Sequence, residues 1–198
     1  MPDIGPGQKA ALSEAYAATV LLLPSSLRAE FPVIGGASLV ILGSKRKTED
    51  VDFAASAAAL SAFEEATCNN PRFSKGAVAE WTYSCQGEGI EDVKVSLEFL
   101  QMGGGFAPNI KVVKPVGEGF RAGMGELVRM KSSTYTARGE DKNLENFCFL
   151  LDKMEETGEG FEGVELEEED LESMEATAAD CGGWHLDLLK ELFKKAGH

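Results

Sequence analysis

Apolar positions recur at helical spacing over residues 8–23, and the pattern stops at Pro24-Ser25-Ser26, which predicts an amphipathic helix, a break and a short helical turn. The apolar run Phe31-Pro32-Val33-Ile34 reads as a strand that enters a glycine pair, Gly35-Gly36, followed by a short helix to Ile41. Over residues 49–53 the pattern alternates, with Val51 and Phe53 on one face of a strand and Asp50 and Asp52 on the other. Residues 56–68 are alanine-rich with Leu60 and Phe63 at helical spacing, and Ser56 is placed to cap them. A strand over residues 77–84, a turn at Gln86-Gly87-Glu88-Gly89 and a hairpin partner over residues 90–100 come next. In that partner Val95, Leu97 and Phe99 alternate with Lys94, Ser96 and Glu98, and Asp92 sits at its entrance. Gly103-Gly104-Gly105 marks a loop.

From Gly123 the period is helical, with helices predicted over residues 126–136, 142–156, 167–178 and 184–195. The acidic stretch 158–170 reads as a solvated loop and helix start. In the last helix Leu186, Leu189 and Phe193 form a stripe suited to docking on the core or on a second copy in a homodimer. The expectation is an α/β (α+β) fold, a mixed sheet flanked by helices over residues 1–120, with a helical C-terminal region over 121–198 packed on it.

Asp50-Val51-Asp52 carries the first chemical signal. On a strand this i, i+2 pair aims two hard oxygen ligands at one spot, enough protein ligation for a magnesium ion that takes its other ligands from water and phosphate. The glycine pair allows a tight turn and a close backbone approach to phosphate, and Ser38 could add a hydroxyl. Lys45, Arg46 and Lys47 supply positive charge between the two, with Arg121, Arg129, Lys131 and Arg138 available later in the chain. Together these features suit a nucleotide with its magnesium.

The segment resembles the first motif of the nucleotidyltransferase superfamily to which DNA polymerase beta belongs, and within it the AbiEii-type and related minimal nucleotidyltransferases. Gly35, Gly36, Leu39, Gly43, Arg46, Thr48, Asp50 and Asp52 fall in register with Gly-Gly-x-x-Leu, a short helix, then Gly-x-x-Arg-x-Ser/Thr-x-Asp-hydrophobic-Asp. The resemblance implies that Asp50 and Asp52 hold metal ions and that Gly35, Gly36, Ser38, Arg46 and Thr48 serve the nucleotide. It also implies a third carboxylate on a later strand, for which Glu98 is the candidate as metal ligand and general base, where the family more often has Asp. Residues 125–147 resemble a second family pattern through Lys131, Arg138 and Lys142, with Lys131 as a catalytic phosphate contact; Asn143 and Asn146 stand where aspartates are common. The implied cofactor set is two Mg2+ ions, with a nucleoside triphosphate such as ATP as substrate.

A net charge of -14 argues against a duplex or long RNA partner, because nucleic-acid affinity comes largely from Lys and Arg neutralising phosphates. The acceptor is then a small hydroxyl or amino compound, a protein side chain or a tRNA end. No apolar run is long enough to span a bilayer and no signal-peptide pattern opens the chain, so a cytoplasmic protein is expected. Cys68, Cys85, Cys148 and Cys181 form no CxxC pair, which leaves free thiols and no zinc or redox motif as the expectation, and His185 beside Trp184 reads as structural. An alternative keeps the fold but not efficient chemistry, a nucleotide-binding or protein-interaction module; Glu98, Asn143 and Asn146 are the residues on its side.

Overall fold

Strand β2 (Asp50–Ala55) is the middle of a seven-stranded mixed sheet, and its alternation decides which face becomes core. The computed structural model describes residues 3–76, 80–103 and 109–198. Two units make up the chain, Met1–Ala122 and Gly123–His198.

In the first unit, helix α1 (Pro6–Leu21) leads through a 3-10 turn (Ser25–Glu30) to β1 (Val33–Ile34), α2 (Gly35–Ile41) and β2. Helix α3 (Ala57–Thr67) follows, then β3 (Phe73–Lys75), β4 (Trp81–Ser84), β5 (Lys94–Gln101), β6 (Val113–Val116) and β7 (Gly119–Ala122). The strand order is β3-β4-β5-β2-β1-β7-β6. Strand β2 runs parallel to β5 and antiparallel to β1, β1 runs parallel to β7, and the other neighbours are antiparallel. Ser56 caps α3 as its spacing predicts, its hydroxyl accepting from Ala59 N.

Val51 and Phe53 are fully buried, and Phe53 enters an aromatic cluster with Phe31 (ring centroids at 4.8 Å), Phe99 (5.7 Å) and Tyr16 of α1 (6.1 Å). Phe63 of α3 joins through Phe99 at 4.7 Å. Offset and tilted ring pairs at these distances add to the area they bury, so this face is the anchor of the sheet. Because side chains alternate, driving Phe53 into the cluster forces Asp50 and Asp52 onto the opposite face. Away from the sheet centre, Glu14 of α1 ties the helix to the β4 edge. It accepts from Tyr83 Oη at 2.8 Å and from the backbone N–H of Gln86 and Gly87, and pairs with Arg72.

Some boundaries differ from the sequence reading. The strand expected over 77–84 is described only from Trp81, residues 77–79 lying outside the described part, as do Gly104 and Gly105 of the expected loop. Its partner begins at Lys94, because Asp92 turns with φ 63° and its N–H donates to Cys85 O. Strands β3, β6 and β7 are additional.

The second unit holds α4 (Met124–Arg138), α5 (Asp141–Thr157), α6 (Glu168–Cys181) and α7 (Gly183–Ala196). The buried stripe of α7 is Leu188, Leu189, Leu192 and Phe193, with Leu186 only half-buried, so the stripe sits rotated from the predicted one. Free thiols are not found throughout: Cys148 of α5 and Cys181 of α6 form a disulfide, and only Cys68 and Cys85 are free. The pair lies 33 residues apart in sequence, so local spacing carried no sign of it. Among the described residues, no helix is long and apolar enough to cross a membrane.

Candidate functional site

The parallel register of β2 and β5 sets Asp50 beside Ser96 and Asp52 beside Glu98. Three carboxylates therefore converge on one sheet face, and Asp50, Asp52 and Glu98 each place an oxygen within 4.8 Å of the others. Asp50 and Asp52 are half-buried, and Glu98 is exposed at the rim. Like charges this close repel, and a divalent cation relieves that repulsion while matching the hard oxygen donors. The residues present thus fit Mg2+.

The glycine pair has a structural reason visible at Asp52. Gly35 has φ +62°, and a Cβ built on it would lie 1.7 Å from Asp52 Oδ2. A Cβ on Gly36 would lie 2.3 Å from Thr48 Oγ1. Any side chain at either position would displace a group of the carboxylate cluster. Thr48 Oγ1 in turn donates to Asp50 Oδ1 at 2.8 Å, so this hydroxyl orients a carboxylate. Gln8 of α1 fixes the same loop by donating to Thr48 O at 3.1 Å, and Ile4 N donates to Lys45 O at 2.6 Å. Gln8 was not singled out in the sequence; its partner is 40 positions away and no local motif marks it.

Other candidates take different places. Ser38 is fully buried and its hydroxyl donates to Gly35 O at 2.8 Å, which ties the glycine turn; the expected hydroxyl aimed at phosphate is a turn-stabilising one here. Arg46 is half-buried, with its backbone in a bridge to Asp3, and Lys47 pairs with Glu49 at 2.5 Å. Lys131, Arg138 and Lys142 belong to the second unit: Lys131 is half-buried on α4, Arg138 is exposed in its last turn, and Lys142 pairs with Glu140 at 2.8 Å. Arg129, counted above among the available cations, is largely buried and pairs with Glu126 at 2.6 Å while donating to Glu165 O. A guanidinium so engaged is part of the unit's interior. Asn143 and Asn146 are buried on α5, and Asn143 donates to Glu140 at 3.1 Å.

The mixed sheet flanked by helices has the nucleotidyltransferase-type fold. The chain is similar to an antigenic nucleotidyltransferase-like protein from Paracoccidioides brasiliensis, with a TM-score of 0.62 and 15% identity over 95% of this chain and 94% of the other. It is also similar to JHP933 from Helicobacter pylori, with a TM-score of 0.53 and 14% identity over 94% of this chain and 80% of that one. A candidate nucleotidyltransferase from H. pylori gives a TM-score of 0.55 and 14% identity over 98% and 84% of the two chains. No protein-family model matches the chain, and no curated protein matches it significantly in sequence.

Proposed function

We propose that this chain is a magnesium-dependent nucleotidyltransferase that moves a nucleoside monophosphate from a triphosphate to a hydroxyl or amino acceptor, releasing pyrophosphate. The observation that carries this reading is the register that sets Asp52 against Glu98 and beside Gly35, with Asp50 held by Thr48. Asp50, Asp52 and Glu98 would hold the magnesium. Bound there, it would lower the barrier to attack on the α-phosphate and neutralise charge on the departing pyrophosphate. Thr48 keeps Asp50 oriented, and Glu98, exposed at the rim, would accept the proton of the acceptor. The Gly35-Gly36 turn keeps the backbone open to phosphate approach while leaving room for Asp52. The acceptor classes that suit a charge of -14 are a small molecule, a protein side chain or a tRNA end.

Calorimetry with ATP, GTP, CTP and UTP in the presence and absence of Mg2+, joined to a pyrophosphate-release assay with candidate acceptors, tests the reading. Asp50→Asn is expected to abolish release without loss of fold; undiminished turnover in that variant overturns it. A second reading, a nucleotide-binding or protein-interaction module without efficient chemistry, draws on Glu98, an exposed and longer side chain where the resembled family more often has Asp. Triphosphate binding without pyrophosphate release would favour it.

A further inference from the structure

The second unit brings together a set of soft donors unrelated to the carboxylate cluster. Cys148 of α5, Cys181 of α6 and His185 of α7 each place a ligand atom within 4.8 Å of the others, and all three are half-buried. Three helices supply them, so the cluster is a product of the fold. Gly182, with φ +131°, separates α6 from α7 between Cys181 and His185, whose ligand atoms nonetheless lie together. Asp152 stands one turn beyond Cys148 on α5 and meets His185 Nε2 at 3.0 Å. A carboxylate on one imidazole nitrogen fixes the ring and leaves the other nitrogen for a metal, the arrangement that supports ligating histidines generally.

We propose that, when Cys148 and Cys181 are reduced, their thiolates and His185 form a zinc site with Asp152 as the orienting carboxylate, and that the disulfide and the metal exclude each other. Two cysteines, one histidine and an open fourth position for water are an established zinc donor set. Two sulfurs on one tetrahedral zinc lie about 3.8 Å apart, given Zn–S bonds of about 2.3 Å. Side chains on Cα atoms 6.1 Å apart reach that separation by rotation, without movement of α5 or α6.

A dithiol reductant gives two electrons and two protons to the Cys148–Cys181 bond, becoming a disulfide itself and leaving two thiols. Zinc then binds as those thiols lose their two protons. In the opposite direction hydrogen peroxide takes two electrons from the paired thiolates and two protons from solvent, leaves as two water molecules, and the new S–S bond expels the metal. Metal occupancy at this site would therefore follow thiol redox state.

The test uses the full chain, reduced with a metal-innocent phosphine, freed of metal and titrated anaerobically with Co2+. Thiolate-to-cobalt charge-transfer absorption and the d–d bands of tetrahedral cobalt should grow to saturation at one ion per chain, and Zn2+ should bleach them. The bands should be absent from the oxidised protein and from Cys148→Ser. They should persist in Cys68→Ser and in Asp50→Asn/Asp52→Asn, which separates this site from the carboxylate cluster. His185→Ala should bind at least about tenfold more weakly. Circular dichroism checks that each variant is folded, and the reduced wild type alone decides if one is not. Absence of the thiolate bands in the reduced wild type, their persistence at full strength in Cys148→Ser or His185→Ala, or equal rates of peroxide-driven disulfide formation with and without zinc would each overturn the proposal.

Discussion

Asp52 and Gly35 are packed as one structural unit, the carboxylate filling the space that a side chain at position 35 would take. With a Cβ at position 35 falling 1.7 Å from Asp52 Oδ2 and φ at +62°, Gly35→Ala is strained twice over. We expect it to displace the Asp52 carboxylate and reduce pyrophosphate release at least about tenfold, with a smaller effect on fold; unchanged release would show that Asp52 does not need this space. Thr48→Val removes the 2.8 Å bond to Asp50 while preserving shape, and should weaken the magnesium dependence of triphosphate binding, as calorimetry would record. At this scale the sequence displayed the glycines and aspartates openly, because they are close together in a short motif. It did not display that Ser38 turns inward or that Gln8 braces the loop, since both depend on what α1 and α2 pack against.

Between elements, the Glu14 network sets how α1 is fastened to β4 and the turn after it. Partial burial alone would raise the Glu14 pKa, but the N–H groups of Gln86 and Gly87 and the Arg72 guanidinium outweigh it and hold the carboxyl below its usual 4.5. A carboxyl with a depressed folded pKa stabilises the protein fully above its unfolded value and loses that contribution as pH falls through the folded one. Glu14→Gln should therefore be less stable than wild type near neutrality, and the gap should close as denaturant melts are taken below about pH 4.5. A gap that stays constant with pH would mean that packing alone accounts for it. The helices α4 to α7 were legible because each spans three turns or more with a periodic face, and β2 and β5 because their alternation is long enough to read. Strands β3, β6 and β7 have only three or four residues each, and β6 carries Lys114 and Pro115, so nothing in the local pattern separates them from loop. The rotated stripe of α7 has a similar origin, because neighbouring apolar pairs such as Leu188-Leu189 and Leu192-Phe193 permit more than one face.

The whole molecule carries 33 acidic against 19 basic side chains, and that imbalance bears on what the proposed site can serve. Of the cations counted from sequence, Arg129 is committed to an interior ion pair, which leaves fewer positive groups for a polyanion than composition alone suggests. A triphosphate needs only a few basic groups plus its metal. A duplex needs a continuous basic track, and every phosphate left unneutralised weakens its binding further at physiological salt. We expect the full chain to bind a magnesium triphosphate while failing to retard a long duplex or a long single-stranded RNA at about 0.15 M salt, measured side by side by calorimetry and gel shift. A short RNA ending in a tRNA-like 3′ tail is the informative third ligand. Retention of that tail alone would point to a tRNA-end acceptor, and retention of the long duplex would show that local basic charge overrides the net charge of -14.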